Sequence, residues 1–283
     1  MMTRRGMKTK MISTLPIRSR IMSTAEQTVL IEQSAGILTI TLDRPKVNAF
    51  SLAMIEALQG AFKLAQREAQ IRAVVLTARG NAFSAGQDIT EVKSVEDTSF
   101  RNHLQHTYNP LIVQIRRLEK PVVAAVNGAV SGAALGVVLA CDLRIAADQA
   151  RFIVGFSGIG LAPDSAVSLL LPLLVGLGRA AEYAYTNTPI SAEQALSLGM
   201  VNQVVPAAEV LSRATDWAIR LAQGSQLAFG LTKRAFNKAL LGNLEQVLDY
   251  EAHLQDIAGR SEAHKEGVRA FLEKRPPRFS DYS

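Results

Sequence analysis

Two short segments, Phe83-Ser84-Ala85-Gly86-Gln87-Asp88 and Asn127-Gly128-Ala129-Val130-Ser131-Gly132-Ala133-Ala134-Leu135-Gly136, hold the residues best suited to carbonyl chemistry. Each sits where a hydrophobic strand gives way to a helix, and each is crowded with Gly, Ala and Ser, which let a backbone come close to a ligand. Two such turns facing one another aim two main-chain N–H groups at one carbonyl oxygen, which makes an oxyanion hole. The chemistry expected is enolate formation. A proton carrier is then needed, and Asp164 is the candidate: it is the sole charged residue between Arg151 and Arg179. Burial among apolar neighbours would raise its pKa, as a general base requires. Asp before an apolar helix is also a usual N-cap, and the local pattern leaves both roles open.

Other chemistries fit less well. Gly155, Gly158 and Gly160 lack the Gly-x-Gly-x-x-Gly spacing of a dinucleotide turn, and Gly128, Gly132 and Gly136 form a four-residue ladder suited to helix packing. Gly155-Phe156-Ser157-Gly158 is one residue short of a hydrolase elbow. His103 and His106 lie three apart on an expected helix with no second ligand pair, so they read as exposed helix histidines and no metal is expected. The single cysteine, Cys141, excludes a disulfide framework and reads as a core thiol.

The elements that must position these groups follow from periodicity. Residues 29–32 and 36–43 alternate as paired strands, and Arg44-Pro45 stops them. Ser51 caps a helix with Ile55, Leu58, Phe62 and Ala65 at helical spacing. Strands are expected at 73–77, 122–126, 143–146, 152–154 and 201–205, and helices at 100–120, 132–141, 165–175, 179–186 and 191–198. The uncharged run from Val122 to Cys141 is long enough to span a membrane, but Asn127-Gly128 and Ser131-Gly132 break it into strand, turn and helix. After Pro206 the pattern is purely helical, over roughly 207–222, 225–241, 244–258 and 261–274. The expected class is α/β with parallel pairing, followed by a helical region. The boundaries are 1–22 for a basic leader, 23–205 for the core and 206–283 for the helices.

The net charge of +6 is confined to the leader, where Arg4, Arg5, Lys8, Lys10, Arg18 and Arg20 meet no acid. The remainder carries 25 basic and 25 acidic residues, which removes nucleic acid and anionic membranes as expected partners of the core. The leader has the composition of a mitochondrial transit peptide. Met2, Met7, Met11 and Met22 also offer later starts, which leaves a cytoplasmic protein with a tail.

From Thr28 to Phe279 the chain resembles the crotonase (enoyl-CoA hydratase/isomerase) superfamily. The matching text is Leu42-Asp43-Arg44-Pro45 with Asn48-Ala49, Ala82 to Ile89, Lys120 to Gly128, Ala140 to Ala146 and Glu266 to Arg275. The resemblance implies a spiral of ββα turns with a C-terminal helical trimerisation region, assembled as trimers or as hexamers that are dimers of trimers. It implies an acyl-CoA substrate, no separate cofactor because coenzyme A enters as the thioester, and oxyanion donors at the Gln87 and Ala133 amides. Lys46, Val47, Asn48, Ala49, Ala85, Asp88 and Ile89 resemble the segments around coenzyme A, and Phe271 and Lys274 fall on the terminal helix that reaches it in relatives. Hydratases of the family use two glutamates, and those positions read Gly136 and Phe156 here, Phe156 being counted instead with the substrate-binding residues that the resemblance implies. The Asp164 position is similar to that of the acid used by isomerases. Gly86-Gln87-Asp88 and Tyr108-Asn109-Pro110-Leu111 are most similar to the phenylacetyl-pathway ring-epoxide isomerase branch. The expected function is double-bond isomerisation of an acyl-CoA, with a hydratase or a non-catalytic acyl-CoA binder as alternatives.

Overall fold

The computed structural model describes residues 28–91 and 99–282; the basic leader lies outside the described residues. Strands β1 (Val29–Ser34) and β2 (Ile37–Leu42) form an antiparallel hairpin. Helix α1 (Leu52–Arg67) follows, with the Ser51 side chain accepting from the Met54 amide as expected.

The chain then alternates between two sheets. It enters the first at β3 (Ala73–Ala78), β5 (Val122–Val126), β7 (Leu143–Ala147) and β10 (Gln203–Val205). After the first three it steps into the second sheet at β4 (Ala82–Ser84), β6 (Ala129–Ser131) and β8 (Arg151–Ile153), and β9 (Ile190–Ser191) completes that sheet. The first sheet is ordered β1-β2-β3-β5-β7-β10 and the second β4-β6-β8-β9, parallel except for β1/β2 and β8/β9. Each strand-strand-helix turn stacks on the last, which is the ββα spiral. β3 and β5 are buried along their whole length, as a parallel strand covered on both faces must be.

The segment expected as one helix over 100–120 is two: α2 (Phe100–His106) and α3 (Tyr108–Arg117), broken at Thr107. Pro110 explains the break. In a continuous helix its ring would meet the His106 carbonyl, whereas in the first turn of α3 its missing N–H costs nothing. The second sheet, apart from β8, was not expected, because strands of two or three residues show no alternation. Helix α4 (Ala133–Ala140) is buried on every side. Next come α5 (Val167–Val175), α6 (Leu177–Thr186) and α7 (Ala192–Ser197).

Four terminal helices close the chain: α8 (Val210–Gln223), α9 (Gln226–Leu240), α10 (Leu244–Gly259) and α11 (Glu262–Leu272). They are less separate from the core than the sequence suggested. α8 packs on β3 and β5, so Trp217 and Leu221 lie against the core, while α10 packs on α2, α3 and α5. Leu211, Leu227, Leu231 and Phe236 stay exposed. No helix among the described residues is long and apolar enough to cross a membrane.

Candidate active site

The two glycine-rich turns do meet. Gly86 has φ +83°, and a Cβ there would lie 2.6 Å from the Ser131 carbonyl oxygen and 3.4 Å from the Ala133 nitrogen, so only glycine permits the approach. The 84–88 turn is fastened on its other side, where Phe50 N donates to Gly86 O at 2.7 Å and Asp88 N to Phe50 O at 3.0 Å. The Gln87 N–H between them donates to no acceptor among the described residues. Ala133 is the first residue of α4, where an N–H has no intrahelical acceptor and the helix dipole is positive.

Behind Gln87, its side-chain Oε1 accepts from the Tyr108 hydroxyl at 2.5 Å and lies 3.1 Å from His103 Nε2. His103 is therefore half-buried and engaged, contrary to the expectation of an exposed histidine; His106 is exposed. Burial lowers the His103 pKa. Tyr108 is buried, and its pKa is raised first by burial and then by the charges of Asp164, Glu91 and Asp88.

Asp164 is buried at 7% exposure and does not cap a helix with its side chain. Its Oδ1 accepts from Ser165 Oγ and its Oδ2 from Gln255 Nε2, both at 2.7 Å. Burial pushes its pKa up to about 6, against the pull of those two bonds. The chain turns sharply after it: Ser165 and Ala166 both have left-handed backbone, φ +55° and +63°. L residues hold such backbone at a cost of roughly 1–2 kcal/mol each. The cap of α5 comes instead from Glu251 of α10, whose carboxylate accepts from Ala166 N (2.8 Å), Ser168 N (3.1 Å) and Ser168 Oγ. Glu251 is buried, and desolvation raises its pKa to about 7.

Gly136 ties this turn to α4. A Cβ on Gly136 would lie 2.2 Å from Ser165 O and 2.7 Å from Ser165 Cβ, so Ser165 fills the space that a side chain there would need. Gly136 is one helical turn beyond Ala133, which sets the Asp164 turn beside the junction of the two glycine-rich turns. Phe156 is buried, at 5% exposure.

The residues matched to coenzyme A segments divide. The 46–49 turn and the 84–89 turn are adjacent, joined by Ala85 N to Val47 O (3.0 Å) and Ser84 Oγ to Asn48 O (2.7 Å). Asn48 spends its side chain on the turn itself, accepting from Arg44 N and donating to Arg79 O and Ala82 O. The Asp88 carboxylate is paired with Arg44 at 2.6 Å and accepts from Thr90; burial raises its pKa, but these contacts outweigh that and the net shift is downward. Lys46, Val47 and Ala85 are exposed, Ala49 and Ile89 half-buried. Phe271 and Lys274 are exposed at the end of α11, which packs on the 157–159 turn. No hydrogen bond or ion pair of the described residues brings them to the 46–49 turn. Cys141 is buried, its thiol pushed up to about 12 by desolvation, and is a core residue.

A stability prediction follows from Asp164. Its carboxyl starts from 3.8 unfolded and titrates near 6 folded, so between those values the native state holds a proton that the unfolded chain has lost. Its contribution is fully present below the unfolded pKa and is lost as pH rises through the folded pKa. Asp164→Asn has no such dependence. Between pH 4 and 7 the variant should gain on the parent by about 2 kcal/mol in urea unfolding, and a pH-independent difference would contradict this.

Comparison with known proteins agrees with the fold. Residues 32–282 match the family described as Enoyl-CoA hydratase/isomerase. The chain is 41% identical over 254 residues to a probable enoyl-CoA hydratase of Rhodobacter capsulatus, covering 89% of this chain and 98% of that protein. It is 38% identical over 257 residues to 1,2-epoxyphenylacetyl-CoA isomerase of Escherichia coli, covering 89% and 98%. The crystal structure of an enoyl-CoA hydratase from Mycobacterium avium subsp. paratuberculosis superposes with a TM-score of 0.81 at 30% identity, covering 89% of this chain and 98% of that one. The chain belongs to the enoyl-CoA hydratase/isomerase family.

The sequence reading missed Ser165, Glu251, Gln255, Tyr108 and His103 as site neighbours. For two of them a signal existed. Glu251 and Gln255 fall on the same face of α10 as the buried Leu244, Leu248 and Ala252, and polar residues on a core-facing stripe call for partners.

Proposed function

We propose that the protein is an acyl-CoA isomerase that moves a double bond in the acyl chain. The thioester carbonyl accepts hydrogen bonds from the Gln87 and Ala133 amides, and Asp164 takes a proton from the carbon beside the carbonyl. The resulting enolate is held by the two amides, a contribution of about 2.7–4 kcal/mol per donor in comparable sites. Asp164 then returns the proton two carbons further along, and the double bond comes into conjugation with the thioester. One carboxyl suffices because it ends in the protonation state in which it began.

The observation that carries this reading is the closure of Gly136 by Ser165. A hydratase needs a second acid to handle water, and that space is filled. The other nearby carboxylate, Glu251, has both oxygens engaged by the start of α5 and is not free to move a proton. The E. coli relative is named an isomerase, as is the trans-2-decenoyl-[acyl-carrier-protein] isomerase of Streptococcus mutans at 34% identity. The R. capsulatus relative bears a hydratase name, which keeps hydration as the second reading. A panel of 3-enoyl-CoA, dienoyl-CoA and ring-containing thioesters should show isomerisation far faster than hydration of crotonyl-CoA. Comparable hydration would favour the hydratase, and tight binding without turnover of any thioester would favour a non-catalytic binder.

Assembly belongs to the same proposal. Leu227, Leu231, Phe236, Leu240, Tyr250 and Ile257 are exposed on α9 and α10. Soluble monomers rarely leave so much apolar surface to water, so a trimer or hexamer is expected. Light scattering should give a mass of three or six chains; a stable monomer at micromolar concentration would contradict it.

A further inference from the structure

We propose that Gln255, reaching in from α10, is a positioning residue for Asp164 that stays bonded to its carboxyl in both states of the proton-transfer cycle. The inference rests on the isomerase reading above. Three observations lead to it. Gln255 is fully buried, its Nε2 donates to Asp164 Oδ2 at 2.7 Å, and its Oε1 has no hydrogen-bond partner.

An unpartnered buried amide oxygen is unfavourable, and a site seldom keeps one without a use. Here the use is supplied by the chemistry. Asp164 is alternately a carboxylate, which only accepts, and a carboxylic acid, which donates through one oxygen. A carboxamide carries both a donor and an acceptor, and turning it over exchanges them. Gln255 thus donates to the carboxylate and, turned over, accepts from the acid. A leucine could do neither, and a lysine would serve the carboxylate alone. Ser165 Oγ holds the other oxygen, so the plane of the carboxyl is fixed from two elements. Glu251, one turn earlier on α10, fastens α10 to Ala166 and Ser168 and so keeps Gln255 at the same height as Asp164. The helical region after residue 206 is on this account part of the catalytic apparatus of its own chain.

The test is Gln255→Leu, with Gln255→Met as a second variant that keeps the length of the side chain. Glu251 of α10 and Tyr108 of α3 are the titratable groups whose fields couple to Asp164, and both are left in place. For isomerisation of a 3-enoyl-CoA, kcat should fall about tenfold or more from loss of alignment, with KM within a factor of two. The bond to the carboxylate is the stronger of the two that Gln255 offers, so the acid limb of kcat/KM should move to higher pH by about half a unit. Infrared difference titration of the carboxyl band, assigned with Asp164→Asn, should move in the same direction. If both folded variants keep the parent kcat, acid limb and infrared titration, the inference is overturned. If the infrared titration moves but isomerisation is indifferent to Asp164→Asn, the Gln255–Asp164 coupling stands and the isomerase reading alone falls.

Discussion

Asp164→Asn is expected to abolish isomerisation of a 3-enoyl-CoA, lowering kcat by about 10²–10⁴-fold, the usual contribution of a positioned acid or base. Binding of a CoA ester should change little, because the amide keeps the shape and the proposed oxyanion donors belong to other residues. Ser165 Oγ can still donate to the remaining amide oxygen, while the new NH2 group, if it faces Gln255, is met by the Gln255 oxygen once that amide turns over. The fold is therefore expected to tolerate the change, and loss of rate can be assigned to loss of the proton carrier. The parent rate–pH profile should rise through about pH 6, where the buried carboxyl ionises to become the base. Product analysis by chromatography reads the loss of rate. Full activity of the variant would remove Asp164 from the mechanism.

Gly136→Glu is the second large effect expected, and its sign separates two views of the site. If Asp164 supplied one of the two acids of a hydratase and position 136 lacked only the other, glutamate at 136 would give hydration. The structure argues the reverse. The added Cβ would stand 2.2 Å from the Ser165 carbonyl oxygen, against backbone rather than a flexible side chain. Either α4 or the Ser165-Ala166 turn must move, at a cost of about 1–3 kcal/mol or more. Both movements displace a group that the proposed reaction uses: α4 carries Ala133, and the turn carries Asp164. Isomerisation should fall by about 10²-fold with no gain in crotonyl-CoA hydration, and the midpoint of thermal unfolding should drop. Hydration gained by this single substitution would contradict the isomerase reading.

Much of this arrangement is legible in the chain because it is local. The strands β3 and β5, the glycine that permits close approach at Gly86, and the Ser51 cap all depend on neighbours within a few residues. What is not local was not legible. Asp164 receives its Oδ2 partner from 91 positions away, and the start of α5 is capped from 83 and 85 positions away. Nothing in Pro163-Asp164-Ser165-Ala166 indicates that a glutamate from α10 does the capping that Asp164 itself might have done. The left-handed pair Ser165-Ala166 was equally hidden, since neither residue advertises that conformation and the surrounding packing imposes it. In α2 and α3 the signal was present in Pro110 and outweighed in the reading by the length of the helical pattern.

The central claim is that one buried carboxyl carries one proton between two carbons. The direct measurement is isomerisation of a 3-enoyl-CoA deuterated at the carbon beside the thioester, run in ordinary water, with the product read by mass spectrometry and NMR. Asp164 is nearly closed to solvent, so transfer should compete with exchange, and the product should carry a measurable fraction of deuterium two carbons further along. That transfer should vanish with Asp164→Asn. Product formed at the parent rate with no deuterium at that carbon, in parent and variant alike, would contradict the account.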